Sequence, residues 1–156
     1  MLVNRQQTVC LSFISQQSST WSQIESEASI FQKDYDCFHI LLEQQKLPYS
    51  VCSELNGYRA PQGVFWFDIS PYRVTMTMQS NNQLSYRHFW ETGIYGTSKY
   101  CLNTEPNCTN QLIQLRNFTR HLKVEQSSVP KSVRIEYEVW SGQTIIGSYL
   151  MHLQIG

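Results

Sequence analysis

Residues 20–45 read "TWSQIESEASIFQKDYDCFHILLEQQ", and the spacing of their apolar residues decides what kind of fold the chain makes. Large apolar side chains fall at Trp21, Ile24, Ala28, Phe31, Tyr35, Phe38 and Leu42. Alternating steps of three and four place all seven on one stripe of an α-helix. Thr20 serves as its N-cap, and Gln23, three residues on, completes a capping box. Pro48 ends the helix because its ring cannot continue the hydrogen-bond ladder. The same phase runs back through Gln17, Ile14, Cys10 and Val3, so the widest form of this reading is helical up to Leu47. The β-branched and Ser-rich portion before Thr20 argues against that earlier half.

Beyond Pro48 the period changes from helical to alternating. "YSVCSEL" and "VFWFDI" read as strands on either side of the loop "NGYRAPQG". "RVTMTMQ" puts Val74, Met76 and Met78 on one face, and "SNNQ" turns the chain into "LSYRHFW", with Leu84, Tyr86, His88 and Trp90 on one face. Residues 91–110 read as a long loop. "QLIQLRNFTRHLKVEQ" then resumes the sheet with Leu115, Phe118, Leu122 and Val124 inward. "SVPKSVRIEYEVW" follows with Val133, Ile135, Tyr137 and Val139 on one face, and a turn at Ser141-Gly142 leads into the last strand. The expected fold is α+β in one domain, residues 1–156: a helical region 1–47 whose seam lies across an antiparallel region 48–156.

Twelve basic and twelve acidic residues balance to a formal charge of zero, with no basic run, which argues against nucleic acid as a partner. Charged residues make up only 15 % of the chain, which suits packing among other subunits or an extracytoplasmic setting. No window of about twenty apolar residues occurs, and the first residues are too polar for a secretory signal.

The sequence offers little chemistry. His39, His88, His121 and His152 are scattered without metal-ligand spacing, and His88 and His152 read as half-buried strand residues. Glu136 and Glu138 share a strand face, which reads as the solvated side of an edge strand rather than an acid–base pair. Neither a phosphate-binding glycine loop nor a nucleophile elbow appears. No cofactor or metal is expected, and a non-enzymatic role follows. In "CLNTEPNC", Cys101 and Cys108 bracket a polar loop that a disulfide would tie down, or they are two unrelated thiols. Cys10, Cys37 and Cys52 read as small buried hydrophobes. Asn107 and Asn117 lie in Asn-x-Thr sequons that arise often by chance.

The order of a seam-bearing helix with "FQKDYDCF", then "LSYRHFW", then "SVPKSVRIEYEVW" and a final hairpin resembles the minor pilins and pseudopilins of type IV pilus and type II secretion systems, particularly the J-like class. That resemblance implies a structural subunit of the cell envelope, periplasmic or surface-exposed, that packs its helix beside other pilin-like subunits at a filament tip. It also implies an oxidising compartment, in which a Cys101–Cys108 bridge is more at home. The family's leader, apolar half-helix and assembly glutamate have no counterpart in this sequence. The membrane would be reached only through such a missing segment, and residues before about Thr20 would be the remnant of a truncated helix. Trp90, Tyr95 and Tyr100, around the long loop, are the expected interface side chains.

The competing architecture is a lipocalin-like β-barrel, cytoplasmic and ligand-binding, such as the bilin lyases, for which "GSYLMHLQIG" is a faint echo. In it the strands close around an apolar pocket lined by aromatics such as Trp66 and Trp90. A small cytosolic adaptor that uses the helix as its interface is the other rival.

Overall fold

A computed structural model describes residues 4–17, 21–46, 62–80, 84–102 and 111–156. Among these residues there are ten β-strands and no helix: β1 (Asn4–Ser15), β2 (Trp21–Asp34), β3 (Cys37–Lys46), β4 (Gln62–Ile69), β5 (Arg73–Ser80), β6 (Leu84–Glu91), β7 (Tyr95–Leu102), β8 (Gln111–Gln126), β9 (Pro130–Ser141) and β10 (Thr144–Ile155). Each strand pairs antiparallel with the next, and β10 returns to pair with β1, from Val9 opposite Ile155 to Ser15 opposite Tyr149. The sheet is therefore a closed up-and-down barrel with no edge strand to protect.

This overturns the α+β reading, and the opening stretch shows why. Residues 21–34 form β2 and residues 37–46 form β3, joined through a tight turn at Tyr35 and Asp36. Ile24 and Ala28 lie four apart and Phe38 and Leu42 lie four apart, an even spacing that shares a face in a strand as well as in a helix. All four are buried in the barrel, together with Ile30 and Ile40. The odd-numbered members of the stripe separate the two readings. Phe31 is half-buried on the outer wall and Tyr35 is 90 % exposed in the turn. Trp21 opens β2 opposite Ile14. The turn is local chemistry: the Tyr35 amide donates to Asp34 Oδ1 at 2.8 Å, and Gln32 Nε2 donates to the Tyr35 carbonyl at 3.2 Å.

The alternation assigned to β5, β6 and β9 holds, with Val74, Met76 and Met78, then Tyr86, His88 and Trp90, then Val133, Ile135, Tyr137 and Val139 facing inward. Two expectations need correction. The span 91–110 contains strand β7, so it is not one long loop. Phe118 faces outward, its ring 5.0 Å from that of Tyr95, and Asn117 and Thr119 are the inward residues of β8. Register shifts by one between Thr119 and His121, so Leu122 and Val124 return to the inner face. The segment "YSVCSEL", Cys52, the turn after Ser80, and Cys108 with Asn107 lie outside the described residues.

The interior is unevenly furnished. Strands β1 to β5 contribute a wall of aliphatic, Met and Phe side chains, among them Leu11, Ile30, Leu42, Phe67 and Met76. Strands β6 to β8 contribute Tyr86, His88, Trp90, Ser98, Tyr100, Asn117 and Thr119. At the lower end, Gly93, in the left-handed region at φ 77°, donates its amide to the Thr119 carbonyl at 2.9 Å and turns β6 into β7. The upper end is where β7 and β9 finish.

Candidate functional site

The polar wall is built on β6, β7 and β8, with tyrosines from β9 and β10 completing it. His88 opposes Ser98 in the β6–β7 register, and Ser98 Oγ lies 2.8 Å from His88 Nδ1. Asn117 Nδ2, from β8, donates to the same Ser98 Oγ at 2.8 Å. On the other side of the imidazole, Tyr100 Oη lies 3.3 Å from Nε2. Four residues on three adjacent strands thus form one hydrogen-bonded chain through the barrel interior. Two of them, Ser98 and Asn117, are fully buried.

Aromatic rings enclose the chain. His88 stacks on Trp90 with centroids 5.2 Å apart and planes 4° apart, while Tyr86 and Tyr100 meet the imidazole edge-on. Tyr137 touches both His88 and Trp90, and Tyr149 stacks on Tyr137 at 5.6 Å. Each such pair contributes about 0.5–1.5 kcal/mol beyond its buried area, so the cluster is held rigidly. The β10 register shifts between Ile145 and Gly147, and the Tyr149 hydroxyl lies 2.7 Å from where a Cβ on Gly147 would be.

His88, Tyr100 and Tyr137 are each held in their neutral form. Burial pushes His88 down to about 4. Burial pushes Tyr100 up to about 12, with the phenol of Tyr149 adding to the effect. Tyr137 is raised well above its ordinary value, first by burial and then by the phenols of Tyr100, Tyr86 and Tyr149 around it. Among the described residues no three His, Cys, Asp or Glu side chains come together as metal ligands would.

Three buried polar atoms of this wall have no hydrogen-bond partner: Trp90 Nε1, Asn117 Oδ1 and Thr119 Oγ1. Toward the upper end Phe13, Tyr100, Leu115 and Tyr149, from β1, β7, β8 and β10, pack against the core and are partly buried, as Leu122, Val124 and Val129 are toward the other end. Of these, Tyr100 meets the His88 imidazole edge-on.

The residues singled out from sequence are dispersed. Trp90 is fully buried inside the barrel and is not an interface side chain, Tyr100 belongs to the interior chain, and Tyr95 is exposed on the outer wall beneath the guanidinium of Arg116. Trp66 is not among the buried interior residues of β4, whereas Phe65 and Phe67 are. Glu138 is not solvated: it is 7 % exposed on the outer face, bonded to Arg120 and accepting from Trp140 Nε1 at 3.0 Å. Cys101 lies near the end of β7, and its suggested partner Cys108 is outside the described residues. Sequence reasoning caught His88 as a strand residue flanked by aromatics. It missed Ser98, Asn117 and Thr119, whose polar side chains carry no mark of facing inward.

Fold and site together define a class: a closed, ten-stranded, antiparallel up-and-down barrel with a neutral polar cluster inside. Among solved structures, the chain is similar to the ywiB protein from Bacillus subtilis, with a TM-score of 0.63 and 11 % identity over 99 % of this chain and 95 % of that one. At that identity the likeness is one of fold. No protein-family model and no curated protein matches the chain. The stretch read as the packing helix forms strands β2 and β3 of the barrel, and no helix occurs among the described residues, so the minor pilin and pseudopilin reading is withdrawn. The barrel alternative is the architecture that stands.

Proposed function

We propose that this protein is a binding barrel that holds a small, uncharged, planar molecule in its tyrosine-lined upper mouth. The observation that carries the reading is the convergence of Tyr86, Tyr100 and Tyr137 on His88, with Tyr149 stacked on Tyr137 and with Tyr100 and Tyr149 only partly buried. A barrel needing only a core would fill this wall with aliphatic, Met and Phe side chains, as β1 to β5 do. Aromatic faces with a few fixed polar groups are the usual furnishing of a small-molecule site. The ligand is uncharged because no Asp, Glu, Lys or Arg takes part in the cluster, and an unpaired buried charge costs several kcal/mol.

The test is a titration of the intact protein with Nile red, an uncharged planar dye, followed by its fluorescence. Saturable uptake is expected. It should be lost in Leu115→Trp, which narrows the mouth, and kept in Ile146→Ser, which alters an exposed position of β10. Circular dichroism establishes that both variants are folded, and Phe13→Trp substitutes for Leu115→Trp should that variant fail to fold. Absence of saturable uptake, or uptake indifferent to the mouth substitutions, overturns the reading.

A further inference from the structure

The interior hydrogen-bond chain has a direction, and the direction specifies what it offers a ligand. Asn117 Nδ2 donates to Ser98 Oγ. Ser98 has one hydroxyl proton and is fully buried. If that proton goes to His88 Nδ1, at 2.8 Å, Ser98 accepts once and donates once. If His88 instead donated from Nδ1, Ser98 would accept twice and its own proton would be stranded in the core. An unsatisfied buried donor is costly, so the first arrangement wins. Turning the Asn117 amide over would reverse the chain. It would also place two N–H groups where one carbonyl oxygen, Oδ1, now lies without a partner, and orphaned buried N–H groups are rarer than under-satisfied carbonyls.

With Ser98 donating to Nδ1, the neutral imidazole carries its proton on Nε2 and donates it to Tyr100 Oη, 3.3 Å away. The oxygen of Tyr100 is then occupied as an acceptor, and its own proton is free to be given away. Tyr100 is only partly buried, so the chain carries a hydrogen-bond donor outward from the core toward the upper end of the barrel.

Resting on the binding reading above, we propose that the ligand presents an uncharged carbonyl-type acceptor to the hydroxyl of Tyr100. Asn117, Ser98 and His88 are positioning residues that orient this donor and do not touch the ligand. A donor-only group, such as a pyrrole-type ring N–H, meets a proton already in place and is disfavoured.

Two measurements test this. Long-range proton–nitrogen correlation NMR of the imidazole reads the tautomer directly: His88 protonated on Nε2 is expected, and protonation on Nδ1 overturns the proposal. The second compares 1-tetralone with tetralin, the same carbocycle without the carbonyl, by titration of the intact protein. Tetralone should bind roughly three- to tenfold tighter, the worth of one hydrogen bond, and Tyr100→Phe should abolish the difference while leaving tetralin unchanged. Ser98→Ala, which cuts the chain behind His88, provides a second variant and should shrink the preference and release the tautomer. Should tetralone bind no better than tetralin, the carbonyl proposal falls even if Nile red is still taken up. Failure of the dye and both probes together removes the binding reading itself.

Discussion

His88 is the residue on which the interior chemistry turns, and its neutrality links the site to stability. Its pKa is about 4 in the fold, below the ordinary 6.5, because the ring is buried among aromatic rings. A depressed histidine contributes stability that is complete above about pH 6.5 and is lost as pH falls toward about 4, since the unfolded chain takes the proton first. The loss across that window is roughly 3 kcal/mol. Urea denaturation at stepped pH should show a steeper decline for the parent than for His88→Gln, and parallel slopes would refute the assignment. Gly96 governs the same wall from the neighbouring strand. A Cβ there would meet the Phe89 carbonyl oxygen at 2.2 Å and Asn117 Oδ1 at 3.1 Å. Backbone cannot yield as a side chain does, so Gly96→Ala should cost about 1–3 kcal/mol, measurable by thermal unfolding. An unchanged melting temperature would mean that the wall is looser than it is drawn. His88 was legible in the sequence as a strand residue among aromatics, but its partners Ser98 and Asn117 were not, because a buried Ser or Asn looks the same in a pattern as an exposed one.

The β2–β3 hairpin is where the sequence was most misleading, and the reason is arithmetic. Positions four apart share a face in both helix and strand, so Ile24, Ala28, Phe38 and Leu42 could not discriminate between them. Three further features pointed to strands. Ser26, Ser29 and Ile30 are poor helix formers, Asp34 and Asp36 flank a turn, and Ile30 and Ile40 extend the even-numbered set. Strands β4, β5, β6, β9 and β10 were legible because short apolar-rich runs, several with a period of two, are punctuated by turn residues such as Pro71 and Gly142. The hairpin yields a sharp contrast. Phe38, 2 % exposed, should lose about 3–5 kcal/mol on change to Ala, whereas Phe31, on the outer wall, should lose about 1 kcal/mol or less. Equal losses, read from urea midpoints, would place both rings in one environment and restore the helical stripe.

For the molecule as a whole, the topology separates one strand pairing from all the others. Nine of the ten pairings join strands that follow one another in the chain, and the turn at Tyr35 and Asp36 shows how short such a link can be. The tenth brings Leu11 opposite Leu153, across nearly the whole sequence. Loop-closure entropy grows with the logarithm of separation, so this seam costs roughly 3 kcal/mol more to initiate than a tight hairpin. Closure is therefore expected late, after the meander has formed. Both leucines are fully buried, so truncating either to Ala removes core packing from the closed barrel. If the seam is still open in the folding transition state, Leu153→Ala should leave the folding rate nearly unchanged and speed unfolding by almost the full stability loss, a φ-value near zero. Met76→Ala, at the middle of β5 between two sequence-adjacent strands, should slow folding and give a larger φ-value. Stopped-flow chevrons of the two variants decide the matter. A φ-value for Leu153 equal to or above that for Met76 would mean that the ends meet early and the barrel forms around its seam.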